Sequence, residues 1–421
     1  MCETPWKTLE RQLMKLRTRG LVVAVAIATA AGAFVAAPSQ AASAARTVTI
    51  WSGANDAKSD NQSPIIAAWA KSQGITINTV YKKNVRDEFI KAVPDGKGPD
   101  LMVGAHDWTG QLVGAGVVAP VALGSLSSKF SAATRSGFTV SGKLYGMPIF
   151  SENIALIWNK RDGEDPAGKS FMDLVNSKNG LAITRDLTSG DPYHWSSVAS
   201  SFGLTLFTRD KSGWTTKLGY GETGSDAYAN FLAGDAKKII RPADGWDQSA
   251  CTLQKGAYII SGPWMYNHGQ DTISGCSAKP LKASEMGIAP IPSLGGKKVS
   301  QFSGVYGYWM SSKVSGQPNA VSVGKVLRYV GSADFQLALN KAGNNIPVNQ
   351  DALRLMSDKN LAAFGQAGVN ALPMPSYVFM DTVWSKIGSA EAAILAGKYT
   401  GTPGDFLRKA VAAAQAAIDT K

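Results

Sequence analysis

Histidine and cysteine are scarce, with three of each in 421 residues. So few histidines leave little for a multi-histidine metal centre, and three cysteines exclude a disulfide-dense scaffold. His106, His194 and His268 are dispersed and read as hydrogen-bonded structural residues. Charged residues reach only 18%, too few for a chain held open by self-repulsion. Catalytic signatures are also missing. There is no G-x-S-x-G, no H-E-x-x-H, no P-loop and no dinucleotide fingerprint, so no cofactor, no metal and no enzymatic activity are expected. Lys and Arg (43) outnumber Asp and Glu (31), yet no five basic residues run together. The pairs Lys82-Lys83, Lys237-Lys238 and Lys297-Lys298 read as a solvated basic surface, with no nucleic-acid partner.

A single apolar run is long enough to notice. It spans Leu21–Ala37, follows Lys15, Arg17 and Arg19, and leads into Ala42-Ser43-Ala44. A charged start, an apolar stretch and a small-residue end form an export signal. Residues 1–44 are therefore expected to be removed, with the mature chain starting near Ala45. A lipid anchor needs a cysteine after the apolar run, and Cys2 lies before it, so a soluble periplasmic protein is expected. Without Cys2, two cysteines remain, Cys251 and Cys276. In an oxidising compartment they are expected to pair, closing a loop worth about 3 kcal/mol. Their flanks, Trp246–Ser249 and Ser274-Gly275, read as exposed loops, and neither cysteine is expected in the cleft.

Thr47–Trp51 and Ile75–Tyr81 read as strands, Ser63–Ser72 and Asp87–Val93 as helices, and Leu101–Val103 as a short buried strand. Alternation of this kind predicts a parallel sheet with helices on both faces, with ligands beyond the strands' carboxyl ends. Those ends are Trp51–Asp56 and Gly104–Trp108. Further strands are expected at 144–148, 154–159, 257–260, 287–290 and 305–310. Helices are expected over 321–342, 350–364, 381–396 and 403–418.

Polar and aromatic residues gather at these strand ends. Asn55, Asp56, Asp107, Glu152 and Asp191 offer an amide and carboxylates, while Trp108, Tyr193, Trp195, Trp264 and Tyr377 offer flat faces. Carboxylates accept hydroxyl hydrogen bonds and aromatic faces cover C–H patches, which is the chemistry of a carbohydrate cleft.

Several motifs occur in a family's order: Gly98-Pro99-Asp100, Ala105-His106-Asp107, Tyr145-Gly146-Met147-Pro148-Ile149 before Glu152-Asn153, Leu156-Ile157-Trp158-Asn159-Lys160, Asp191-Pro192-Tyr193, and Ser261-Gly262-Pro263-Trp264. Over residues 47–420 the chain resembles the maltose/maltodextrin-binding proteins of ABC importers. The resemblance implies an α/β, two-lobed periplasmic binding protein fold (type II) of mainly parallel sheets flanked by helices. Residues 46–150 and 306–350 would form the amino-terminal lobe, and 151–305 and 351–421 the carboxyl-terminal lobe. It implies a monomer that binds a small-molecule sugar, maltodextrin or another α-glucoside, between the lobes and delivers it to a membrane permease.

The ligand residues it implies are Asn55, Asp56, Asp107, Trp108, Glu152, Asp191, Pro192, Tyr193 and Trp264, with Tyr377 and Asp381 from a poorly aligned late helix. Trp108 stands where the family usually has Arg, and Asp191 where it often has Glu, which leaves the particular sugar open. Two alternatives remain open: an exported glycoside hydrolase, and the same fold binding a non-sugar such as a polyamine.

Overall fold

The structure, a computed structural model, describes residues 46–54, 57, 60–183, 189–210, 213–221, 224–242, 245–368 and 370–420. The expected export signal, its cleavage site and Cys2 lie outside the described residues. No helix among the described residues is long and apolar enough to cross a membrane.

The first sheet is built from β1 (Thr47–Ser52), β2 (Thr76–Tyr81), β3 (Leu101–Ala105), β4 (Gly146–Asn153) and later strands. The second starts at β5 (Ala155–Asn159) and adds β6 (Leu181–Ile183), β7 (Tyr258–Ser261) and β8 (Met286–Ala289). The chain then returns to the first sheet through β9 (Phe302–Met310), β10 (Ile346–Pro347) and β11 (Leu372–Pro373). The orders are β10-β4-β9-β3-β1-β2, with β11 beside β9, and β8-β5-β7-β6.

β1 runs parallel to β2 and β3, as the opening strand–helix alternation predicts. Beyond that point the sheets are mixed. β9 is antiparallel to both β3 and β4, and β5 is antiparallel to β7 and β8. The reason is connectivity: β4 and β9 are the strands along which the chain passes from one core to the other.

Core membership shows those passages. Phe150 belongs to one core and Ile154 to another; Phe302 and Val305 divide the same way, as do Ile346 and Val348. In the second sheet, Leu156 and Ile260 face one apolar cluster, while Ile157 and Ile259 face the opposite one. Apolar cover on both faces is why these strands read as unbroken apolar runs. The segment 150–153, which reads as a break between strands, is continuous strand. Glu152 pairs with Gly304 and Ser151 with Val305.

The helices that matter for the site are α1 (Ser63–Ser72), α2 (Val85–Ala92), α3 (Pro192–Ser201), α4 (Trp246–Gln254), α5 (Pro263–His268), α6 (Ala333–Gly343) and α7 (Met380–Leu395). Trp246–Ser249 is therefore the first turn of α4, not a loop, because Gly245 at φ 90° ends the preceding segment and lets a helix begin. Cys251, on α4, is bonded to Cys276.

Candidate functional site

The carboxyl ends of β1 and β3, the crossing strands β4 and β9, and the amino-terminal ends of α3, α4 and α5 surround a cavity of about 1430 Å³. Asp107, Trp108, Glu152, Asp191, Pro192, Tyr193 and Trp264 line it. Asn55 and Asp56 lie outside the described residues, although Gly53 and Asp60 on either side of them line the cavity.

Tyr377 and Asp381 are placed elsewhere. The Tyr377 hydroxyl donates to the Trp214 carbonyl at 2.8 Å, and its ring packs on Phe207 and Phe379. Asp381 opens α7 and accepts from Arg86 Nη1 at 2.5 Å. Trp384, one turn later, does reach the cavity.

Asp107 follows β3 in a short 3-10 turn that buries His106 and Asp107 together. His106 Nδ1 accepts the Val305 N–H at 3.0 Å, so Nε2 carries the proton and donates to the Met374 carbonyl at 2.9 Å. Burial keeps this ring neutral by pushing its pKa down. It is structural, as its sequence context suggests. Burial likewise raises the Asp107 carboxyl, against the pull of His106, the Trp384 Nε1–H donated at 3.3 Å and the Arg86 charge.

Trp108 lies flat on the backbone. A Cβ at Gly104 would sit 2.0 Å from its ring. Trp309 stacks near it at 6.1 Å, and Arg86 lies 5.7 Å from the ring centre.

Glu152 extends from β4 opposite Gly304. Burial, helped by the Asp107 charge, pushes its pKa from 4.5 up to about 8. The folded chain thus holds a proton there that the unfolded chain has released. Stability from this group is complete below about pH 4.5 and lost as pH rises through about 8. Urea unfolding at about pH 6 and about pH 9 checks this. The native chain is expected to weaken at the higher pH, and Glu152→Gln, which stays neutral, to lose that part of the decline. Equal declines in both proteins would contradict it.

On the opposite wall, Asp191 caps α3 by accepting the His194 N–H at 3.1 Å, with Pro192 in the first turn. Gly190, at φ 70°, lies close against α7: a Cβ there would stand 2.1 Å from the Gly388 carbonyl. Trp264 is the second residue of α5, directly after Gly262-Pro263. Its ring lies 6.2 Å from Tyr193, 5.9 Å from His194 and 6.1 Å from the half-exposed Trp246, centre to centre.

Among the lining residues that sequence reasoning does not single out for the site are Arg86, His194, Trp246 and Tyr306. Tyr306 alternates with Val305 along β9, and this signal is visible once the strand is assigned. Arg86 has no motif around it. Among the described residues no group of three or more His, Cys, Asp or Glu is placed to hold a metal ion.

Comparison with known proteins decides the family. Residues 65–364 match the family described as bacterial extracellular solute-binding protein. The chain belongs to that family. This solute-binding protein is 26% identical over 335 residues to the maltotriose-binding protein of Pyrococcus abyssi, covering 75% of this chain and 69% of the relative. It is also 26% identical over 344 residues to a maltooligosaccharide ABC transporter solute-binding lipoprotein of Streptococcus pneumoniae, covering 76% and 77%. Its fold is that of the Thermus thermophilus maltotriose binding protein bound with maltotriose, with a TM-score of 0.73 and 23% identity over 88% of this chain and all of that one. The solute-binding protein is thus two-lobed, with its cavity lined from both cores, and its family acts outside the cytoplasm by binding rather than by catalysis.

Proposed function

We propose that this solute-binding protein is the sugar-binding component of an ABC importer, taking maltodextrin or a related α-glucoside between its lobes. The observation that carries the reading is the cavity's lining: aromatic faces (Trp108, Tyr193, Trp246, Trp264) set among carboxyls that hold hydroxyls (Asp107, Glu152). Its size supports an oligosaccharide, since drug-sized ligands fill pockets of about 300–1,000 Å³. The maltose-type relatives favour an α-glucan over other sugars. Export by a cleaved signal ending near Ala44 would put the protein in the periplasm, where the closed, loaded form meets a membrane permease. Asn55 and Asp56 complete the site in this reading, while Tyr377 and Asp381 support α7 from outside it.

Melting in the presence of maltose, maltotriose, maltotetraose, trehalose and putrescine tests the ligand class. A ligand at a hundred times its Kd adds about 2.7 kcal/mol to a protein that binds it only when folded. Maltodextrins are expected to raise the Tm and putrescine to leave it unchanged. The reverse pattern would favour the polyamine reading.

A neutral Glu152 near Asp107 also suits a glycoside hydrolase, which needs one carboxyl protonated beside one ionised. Here, however, burial raises both carboxyls, and Asp107 is tied to Trp384. Maltotriose recovered intact after long incubation excludes the hydrolase.

A further inference from the structure

Three buried polar atoms in one cavity wall have no hydrogen-bond partner among the described residues: Tyr193 Oη, His194 Nε2 and Trp264 Nε1. Their rings form a triangle with centre-to-centre distances of 5.4, 5.9 and 6.2 Å. His194 meets Tyr193 at 84° and Trp264 at 87°, so both rings stand nearly perpendicular to it.

An unpaired buried polar atom costs about 1–3 kcal/mol, a cost that an apolar ring at position 194 would avoid. Packing alone therefore does not account for a histidine here. Its other nitrogen is engaged. His194 Nδ1 lies 2.5 Å from Asp191 Oδ2, while Asp191 Oδ1 takes the His194 backbone N–H. A carboxylate only accepts, so Nδ1 carries the proton and the ring is held at a fixed angle to the start of α3. Both Asp191 oxygens are then engaged within their own turn.

We propose that Asp191 is a positioning residue rather than a sugar ligand. It clamps His194, and the His194 ring sets the angle of the Tyr193 and Trp264 faces against which a sugar ring is held. This rests on the sugar reading of the cavity.

Two measurements test it, one of them independent of sugar. Nitrogen-15 NMR of the ligand-free full chain reads the imidazole tautomer, with the signal assigned through His194→Phe. A proton on Nδ1, bonded to Asp191, is expected, with the signal changing in Asp191→Asn. A ring protonated on Nε2 alone in the native chain overturns the clamp.

The second is a double-mutant cycle on maltotriose affinity. Asp191→Asn keeps the helix cap, because Asn caps as well as Asp. Asp191→Asn and His194→Phe are each expected to weaken binding about tenfold, about 1.4 kcal/mol. The double variant should be no weaker than the worse single one, since both changes remove the same device. Losses that multiply would show Asp191 acting on the sugar directly, and full affinity in Asp191→Asn would show no role; either result overturns the proposal. If native protein ignores maltotriose, the sugar reading fails, and the tautomer still decides the clamp.

Discussion

Trp264→Ala is expected to weaken sugar binding at least thirtyfold while leaving the fold largely intact. Gly262-Pro263 ends β7 and starts α5, and the indole folds back over Gly262, where a Cβ would stand 2.3 Å from the ring. Only glycine lets the ring lie that close to its own backbone. The ring is half-buried between two apolar clusters, with Trp246, His194 and Tyr193 around it and the cavity beside it. An aromatic anchor at the centre of a small interface is a hot spot worth about 2 kcal/mol or more, which is roughly thirtyfold. A fully buried aromatic truncated to Ala would instead cost about 3–5 kcal/mol of stability. Calorimetry with maltotriose and urea unfolding of the same variant separate the two. A collapsed midpoint with normal affinity would make Trp264 a core residue and not a platform.

Reducing the Cys251–Cys276 bond is expected to cost about 3 kcal/mol of stability, the chain entropy of a 25-residue loop. The bond ties α4 to the segment after α5. Trp246 and Asp247 at the start of α4, and Gln270 and Asp271 in that segment, all line the cavity rim. His268 bridges the same two segments, with Nε2 2.8 Å from Asp247 and Nδ1 2.7 Å from Asp271. The rim therefore keeps a second tie, and affinity is expected to survive in the Cys251→Ser, Cys276→Ser double variant. Thermal melts with and without reductant, and calorimetry of the double variant, check both halves. An unchanged Tm on reduction would contradict the first, and lost affinity in a folded double variant the second.

Where local pattern decides structure, the sequence was readable. β1 to β3 and the helices between them follow from alternation and helical spacing, and the two late helices appear as Met380–Leu395 and Pro403–Asp419. Stops inside long helical patterns were harder to see. The helical stretch expected over 321–342 divides at Gly331-Ser332, where Ser332 caps a second helix by accepting the Phe335 N–H. The segment 150–153 reads as a break for another reason. Ser151 and Glu152 line the cavity while the backbone stays in the sheet, so their polarity marks the cavity wall and not a loop.

The cavity lining was legible where a motif carries the residue, as at Asp107, Glu152, Asp191 and Trp264. It was not legible where a residue arrives through tertiary packing. Arg86 reaches the cavity only because α2 lies across from α7, where it meets Asp381. The sequence around His194 reads as that of a structural residue, since nothing local to it reveals the Trp264 ring at its edge.

Polar contacts also join the two cores around the cavity. Arg86 meets Asp381 on one side of the cavity. On the other, Asn267 donates to the Gly343 carbonyl and accepts from Asn344, which ends α6 in a left-handed conformation at φ 51°. The Trp384 Nε1–H donated to Asp107 is a further polar link across the cavity.

In the proposed function the cavity binds an α-glucan without altering it. Isothermal calorimetry of the mature chain with maltotriose, followed by analysis of the recovered sugar, tests it most directly. One maltotriose per chain, saturable binding and unchanged trisaccharide are predicted. No heat of binding from any maltodextrin, or release of glucose and maltose, would contradict it.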